Sequence, residues 1–377
     1  MKPGGKIAAL VVAGGYSSRM GLFKPLLPLG AGRVIEKPVH TFRQAGIEDV
    51  RVVVGHNAAM LIPVLQSLEV EIIYNHRYAD GMFSSVLAGV KSLETGVEAF
   101  FLLPADIPLV RVQTVKEILQ AFRHRGTGII YPCFQGRKGH PPLISSFYIK
   151  DIISWNKPGG LRALLSQYPD DSLKLEVADE GVLMDMDTKD DYQKILAYHR
   201  RQHIPTAAEC LAILNKFGAA PRVVNHCRAV AGLAKELAIA LNKTGCRLDV
   251  DLITSAALLH DLAKGKPGHA QTGAAILRQL GFAEVAEIVA CHMDIAVPQE
   301  KPVTEAEVVY LADKLIKEDC LVPLEIRFEE AREKYAHKPN IMEAVLTRFQ
   351  NARIIKKRVD DKLGEALEKK VIAWNKG

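Results

Sequence analysis

The sequence predicts two domains of different class in one chain of 377 residues: an α/β domain built on a mostly parallel sheet, then an all-α domain. Three observations predict this. At roughly 150 residues per domain, the length suits two or three domains. Up to about residue 200, short runs rich in Val, Ile and Phe alternate with amphipathic stretches, the pattern of a sheet covered by helices on both faces. Beyond residue 205, apolar residues recur only at helical spacing. The boundary falls in 198–205, a basic polar stretch ending in Pro205, which divides the chain into 1–200 and 205–377.

Taken in order, 6–13, 50–55, 70–74, 99–103 and 128–131 read as strands, bounded by Gly, Asp or Pro. Amphipathic helices are expected over 34–45 and 112–123. In the second half, 207–217, 222–241, 250–262, 269–280, 285–292 and 305–316 read as helices, punctuated by Gly218, Gly245, Gly265 and Gly281. The stretch 324–374 is a long, charged, amphipathic and helical tail.

Composition excludes several classes. Hydrophobic residues at 48% and charged residues at 24% are those of a globular protein, so wholesale disorder is excluded. The charge of +6, from 49 Lys and Arg against 43 Asp and Glu, is mild and dispersed. With no aromatic-basic stripe it argues against nucleic acid, and a basic cleft for a phosphorylated small molecule explains it equally well. No run approaches the ~20 apolar residues of a membrane span, and the apolar run ending at Gly14-Gly15 reads as a first strand rather than a signal peptide. Six scattered cysteines with no CxxC pair suit reduced thiols in the cytoplasm.

The first strand ends in Ala13-Gly14-Gly15-Tyr16-Ser17-Ser18-Arg19-Met20-Gly21, with Lys24 shortly after. Small residues after a strand let backbone N–H groups approach an anion, and Arg19 and Lys24 add charge. Neither GxGxxG nor GxxxxGK[ST] fits, which removes the ordinary dinucleotide and P-loop readings. Asp106 follows Phe100-Phe101-Leu102-Leu103 and should emerge at the C-terminal end of a buried strand, where ligands of open α/β sheets bind. A carboxylate there can hold Mg²⁺ against triphosphate oxygens; as a bare residue it is also a turn or helix-cap Asp. Ser85 is placed at the start of a helix, either meeting a ribose or base or acting only as a cap.

The string from Ala13 to Lys24 resembles the nucleotidyltransferase loop of the molybdenum cofactor guanylyl- and cytidylyltransferases. Further segments resemble the same family in the expected order. These are Gly81-Met82-Phe83-Ser84-Ser85, Leu103-Pro104-Ala105-Asp106, Gly139-His140-Pro141, and Asp185-Met186-Asp187-Thr188 with Asp190 and Asp191. The resemblance covers about 5–198 and implies a Rossmann-like, GT-A-like fold. It implies nucleotide binding by Ala13, Gly14, Gly15, Arg19, Lys24, Gly81 and Ser85, and catalysis by Arg19, Lys24 and Asp106. Asp106 would hold Mg²⁺, with Asp187 as a second ligand or a loop cap. Gly139, His140 and Pro141 would meet the acceptor, although His140 is equally a surface-loop histidine. An acceptor phosphate would attack the α-phosphorus of a nucleoside triphosphate and release pyrophosphate; the implied acceptor is molybdopterin carrying molybdenum, and the implied partner protein is a molybdoenzyme. Ala13-Gly14-Gly15 resembles the guanylyl branch, whereas the Gly-Met and Gly-His-Pro segments favour CTP over GTP. A sugar or polyol phosphate is the alternative acceptor, and a non-catalytic nucleotide or cofactor carrier the alternative from another class.

In the second half, His226, His260-Asp261 and Asp313 sit on successive helical stretches. Imidazole with carboxylate suits Mn²⁺, Fe²⁺, Ni²⁺ or Zn²⁺. The order resembles the HD superfamily of metal-dependent phosphohydrolases over about 205–350. The resemblance implies His226, His260, Asp261 and Asp313 as metal ligands, His269 and His292 as ligands of a second metal, and Lys264 as a phosphate-binding catalytic residue. Each lone histidine is otherwise a satisfied core or helix-end residue, and Cys227 and Cys291 are small core residues.

Overall fold

A computed structural model of the chain describes residues 5–15, 21–93, 95–298, 302–364 and 366–367. It divides into two compact units, Met1–Gln202 and His203–Gly377.

The first unit runs β1 (Lys6–Ala13), a short hairpin β2 (Pro28–Leu29) and β3 (Gly32–Arg33), α1 (Glu36–Gln44), β4 (Asp49–Val54), α2 (Ala58–Ser67), β5 (Glu71–Tyr74), α3 (Met82–Ser92), β6 (Val97–Pro104) and α4 (Val112–Arg125). It continues through β7 (Ile129–Phe134), β8 (Arg137–Lys138), β9 (Leu143–Ser145), α5 (Ile149–Ser154), α6 (Gly160–Leu165), β10 (Ser172–Glu176) and α7 (Lys189–Arg201). The sheet order is β10-β7-β9-β6-β1-β4-β5, with β8 paired to β7. All neighbours are parallel except those of β9 and the β7–β8 hairpin. Six of the eight β1 residues are buried, as a central strand covered on both faces requires. On one face α3 lays Val86 and Val90 against Leu10, Val12, Phe100 and Leu102. On the other, Phe42 of α1 meets Phe101 with ring centroids 5.5 Å apart. In register, Val12 stands opposite both Val53 and Pro104, so β1, β4 and β6 end at one edge. That edge carries the candidate site.

The strands β8, β9 and β10 were not expected from the sequence. β10 is an edge strand, Ser-Leu-Lys-Leu-Glu, with no continuous apolar run, and β8 is two exposed residues.

The second unit runs α8 (Ala207–Lys216), α9 (Pro221–Lys243), α10 (Val250–Leu259), α11 (His269–Gln279), α12 (Ala283–Cys291), α13 (Glu305–Leu315), β11 (Ile316–Lys317), β12 (Cys320–Leu321), α14 (Leu324–Tyr335) and α15 (Pro339–Leu363). Capping boxes, Thr206 with Glu209 and Thr304 with Glu307, start α8 and α13, and Pro221 starts α9. Two findings differ from the sequence reading. A two-residue hairpin, β11–β12, follows α13 and turns at Glu318, whose φ is 57°. The tail, read as helical over 324–374, forms two helices, interrupted at 336–338 ahead of Pro339, which cannot continue a helix but starts one well; 365 and 368–374 lie outside the described residues. No helix among the described residues is long and apolar enough to cross a membrane. All six cysteines are free.

Candidate active sites

In the first unit, β1 delivers Gly14 and Gly15 to the sheet edge, and β6 delivers Asp106 beside it, with Ala105 N–H donating to the Val12 carbonyl at 2.9 Å. Lys24, in a short 3-10 turn, is buried and reaches two carboxylates: its Nζ lies 2.9 Å from Asp187 Oδ1 and 3.6 Å from Asp106 Oδ2. Burial pushes the Asp106 carboxyl above its ordinary value; Lys24 opposes this, while Asp187 adds to it by repulsion. Asp187 is held in place from both sides. Met186 N–H donates to the Asp106 carbonyl at 3.0 Å, and Thr188 with Asp191 forms the capping box that starts α7. Asp191 therefore serves as a helix cap.

Arg19 and residues 16–20 generally lie outside the described residues. Gly14, Gly81 and Ser85 are brought together differently from the sequence reading. The helix begins at Met82, with Gly81 at φ 94° as its N-cap, so Ser85 is within the first turn and not at the cap. Its hydroxyl is buried and accepts a hydrogen bond from Asn75 Nδ2 at 2.9 Å. A Cβ on Gly14 would lie 2.8 Å from Ser85 Oγ, with its next neighbour, Gly55 N, at 3.6 Å. An alanine at position 14 would therefore need Ser85 Oγ to move, a packing constraint on the Ala-Gly-Gly string that does not involve the base. Gly139 and His140 are tied beneath residues 180–183: Gly139 N–H donates to Pro132 O at 2.7 Å and His140 N–H to Val182 O at 2.9 Å. Burial lowers the His140 imidazole below its ordinary value, and its Nδ1 is buried with no hydrogen-bond partner. That is not the environment of a surface-loop histidine. Asn75, which also donates to Ser84 Oγ at 2.8 Å, was missed by sequence reasoning; its only signal was a polar residue directly after an apolar strand.

In the second unit, all six sequence-predicted ligands converge. Asp261 lies between two groups. Its Oδ2 is 3.9 Å from His226 Nε2 and 3.6 Å from His260 Nε2, and its Oδ1 is 3.4 Å from His269 Nε2 and 3.6 Å from His292 Nε2. Asp313 Oδ1 closes the first group, 3.2 Å from His226 Nε2 and 3.5 Å from His260 Nε2. Three of the imidazoles are oriented by backbone carbonyls: Nδ1 of His226 meets Glu318 O at 2.8 Å, that of His260 meets Ala257 O at 2.7 Å, and that of His292 meets Val289 O at 2.7 Å. A proton on each Nδ1 leaves the Nε2 lone pair facing inward, the arrangement of a metal-ligating histidine. The unforeseen β11–β12 turn supplies the carbonyl that sets His226.

The donor set fits metal ions. His260 Nε2 is fully buried and has no hydrogen-bond partner, and His269 Nε2 faces His292 Nε2 at 3.2 Å. His226, His260 and Asp261 form one group able to hold an ion, and Asp261, His269 and His292 a second. Burial would raise the Asp261 carboxyl, but His292, His260 and Lys264 bring it well below the usual range. Asp313 is likewise held low by Lys314, His226 and His260 against its burial. Burial disfavours a charged His260, yet Cys227 and Asp313 push it up. Lys264 Nζ is 2.9 Å from Asp261 Oδ2, and Lys314, which sequence reasoning missed, places Nζ 2.6 Å from Asp313 Oδ2. The signal for Lys314 was a lysine directly after the candidate aspartate.

Comparison with known proteins divides the chain in the same way. Residues 9–172 match the family described as MobA-like NTP transferase domain, and residues 223–317 match the HD domain. The molybdenum cofactor cytidylyltransferase of Escherichia coli is 28% identical over 187 residues, 49% of this chain and 93% of that protein. The nicotine blue oxidoreductase of Paenarthrobacter nicotinovorans is 27% identical over 197 residues, 50% of this chain and 96% of that protein. A nucleotidyl transferase structure from Methanothermobacter thermautotroptrophicus is 25% identical, with a TM-score of 0.47 over 53% of this chain and all of that one.

Proposed function

We propose that this chain, a MobA-like NTP transferase domain joined to an HD domain, transfers a nucleoside monophosphate, CMP from CTP in the leading case, to molybdenum cofactor and hydrolyses a phosphoester at a two-metal site. The observation that carries the first half is the convergence of Lys24, Asp106 and Asp187 at the C-terminal edge of the sheet. Asp106 and Asp187 would hold Mg²⁺, which suits oxygen donors and neutralises charge on a triphosphate. Lys24 then turns from the carboxylates to the phosphate oxygens, and the small residues Gly14 and Gly15 leave room for those oxygens beside the backbone. His140, neutral because it is buried, orients the acceptor whose phosphate is the nucleophile; no protein nucleophile is needed. The likeness to the E. coli cytidylyltransferase supports the acceptor and the base, and a molybdoenzyme as recipient follows from that acceptor.

In the HD domain, His226, His260, Asp261 and Asp313 would hold one divalent ion and Asp261, His269 and His292 a second, with Mn²⁺, Fe²⁺, Ni²⁺ or Zn²⁺ suited to mixed imidazole and carboxylate. Such ions lower the pKa of bound water and polarise a phosphoryl oxygen. Lys264 and Lys314 flank the site and orient the substrate phosphate.

The test is pyrophosphate release with each of four nucleoside triphosphates, with and without molybdenum cofactor, for the native chain and Asp106→Ala. The expected result is cofactor-dependent release with CTP preferred and a loss of about a hundredfold or more in the variant, since a metal anchor is worth several kcal/mol. Near-native release by Asp106→Ala, or cofactor-independent release with a sugar phosphate, sinks the reading.

A further inference from the structure

One side of the second unit's His/Asp cluster opens on a cavity. His260 and His292 are buried behind it, while His226, Asp261 and Asp313 line a cavity of about 820 Å³. That is near the top of the range for small-molecule sites, far more than a lone phosphate group fills. Of its 23 lining residues, 13 lie beyond residue 317, outside the matched HD domain, on the β11–β12 turn, α14 and α15.

These later helices form a fixed wall. Tyr310 of α13 donates its hydroxyl to Arg348 O at 3.0 Å, Arg348 forms a bidentate pair with Asp294 at 2.7 and 3.0 Å, and Asn351 donates to Ile295 O at 2.8 Å. The helix that carries Asp313 and the segment after His292 are thereby tied to α15. Across the pair, Phe328 of α14 stacks on Phe349 of α15 with centroids 4.1 Å apart and planes 16° from parallel. Both rings line the cavity, as does Tyr335. The charge is uneven: seven lining side chains are Lys or Arg and five are Asp or Glu, and two of the five are the metal-facing Asp261 and Asp313. A metal held by those two would compete with Lys264 and Lys314 for the carboxylates, and both lysines already line the cavity. Among the described residues, Arg222 on α9 and Lys334 on α14 line the cavity and make no ion pair; Lys334 lies 5.3 Å over the Tyr335 ring. Cations therefore stand both beside the cluster and on α14, with aromatic surface on α14 and α15.

We propose that α14 and α15 are the recognition wall of the HD site, and that its ligand is a phosphoester bearing a planar aromatic ring and a second phosphoryl group, in the manner of a nucleoside diphosphate. The proposal rests on the reading of this unit as a phosphohydrolase and names the substrate class that reading leaves open. The phosphoryl group beside the metals meets Lys264, Lys314 and Arg222. The second meets Lys334, and the ring lies on the flank made by Phe328, Phe349 and Tyr335.

The experiment uses the full chain loaded with Mn²⁺ and calorimetric titration with ADP, ribose 5-phosphate and inorganic phosphate, for native protein, Lys334→Ala and Phe328→Leu. Any ADP bound in the first unit is insensitive to these changes and serves as an internal control. Lys334→Ala, at an exposed position, is expected to weaken the affected ADP site about tenfold, the size of one contact to a charged group, and to leave inorganic phosphate unchanged. Phe328→Leu is expected to weaken ADP and spare ribose 5-phosphate. No change in ADP binding with Lys334→Ala, or an equal loss for all three ligands, overturns the proposal. Hydrolysis of p-nitrophenyl phosphate in parallel separates the two readings. Its presence with Lys334-insensitive ADP binding sinks the wall alone, and its absence with Lys334-sensitive binding sinks the phosphohydrolase alone.

Discussion

The two sites solve the problem of holding a divalent ion in opposite ways. In the helical unit, six imidazole and carboxylate groups converge, carried by or bordering five helices, and three of the imidazoles are already turned by backbone carbonyls. In the sheet unit, two carboxylates stand at an open edge, and a buried lysine bridges them. On the proposed function the first site would keep its ions as residents. The second offers two carboxylates, so its metal would arrive with the triphosphate, with Lys24 as the placeholder in its absence.

The largest effect expected from that contrast is in metal content. Asp261→Ala removes the carboxylate common to both groups and is expected to empty both positions, while His226→Ala and His269→Ala each remove about one ion. Elemental analysis of the purified chain and variants checks this; if Asp261→Ala keeps one ion, the shared-ligand geometry is wrong. Proton linkage sharpens the same point. His260 is pushed up by its neighbours and must lose its proton to bind metal, whereas Asp261 and Asp313 are held low and stay ionised. Mn²⁺ affinity is therefore expected to keep rising with pH above the ordinary histidine range and to show no carboxylate step there, with protons released on loading.

A smaller effect is expected at Lys24. Lys24→Met removes the cation that bridges Asp106 and Asp187 and should cost about 1–3 kcal/mol of stability. Mg²⁺ should restore more of the melting temperature in this variant than in the native chain, and equal Mg²⁺ responses would break the placeholder argument. The acid limb of nucleotidyl transfer should also lie above the ordinary carboxylate range. Asp106 is raised by burial, and activity is lost as pH falls through its raised value. A pH profile with Asp106→Asn as control reads this directly.

The smallest effect concerns Gly14. Gly14→Ala forces its Cβ onto Ser85 Oγ and should cost about 1–3 kcal/mol. Pairing it with Ser85→Ala should recover most of that while leaving the order of preference among nucleotides unchanged. A swap from CTP to GTP in either protein would return the base decision to this position.

Much of this was legible in the sequence, for reasons that differ by region. The buried strands β1 and β6 announced themselves because a central parallel strand must be apolar on both faces, and the residue after each had to emerge at the ligand edge. The six His and Asp residues of the second unit were legible because their order on successive helical stretches resembles the HD superfamily; taken singly, each histidine reads equally as a core or helix-end residue. Less legible was whatever depends on long-range packing. Ser85 was placed at the start of a helix, and the fold starts that helix three residues earlier, at Met82. The turn at Glu318 that orients His226 joins residues 92 positions apart, and no local periodicity reports such a contact. The break at 336–338 was hidden because the tail is amphipathic on both sides of it.

The contact between Gly14 and Ser85 also constrains the order in which this loop can change. Among the described residues nothing else crowds Gly14, so once Ser85 has lost its hydroxyl an alanine fits there at little expense, whereas the same alanine introduced first meets an occupied space. A change from Gly to Ala at this position is therefore easier in one order of steps than in the other. The two positions, 71 residues apart in the chain, vary as a pair rather than singly.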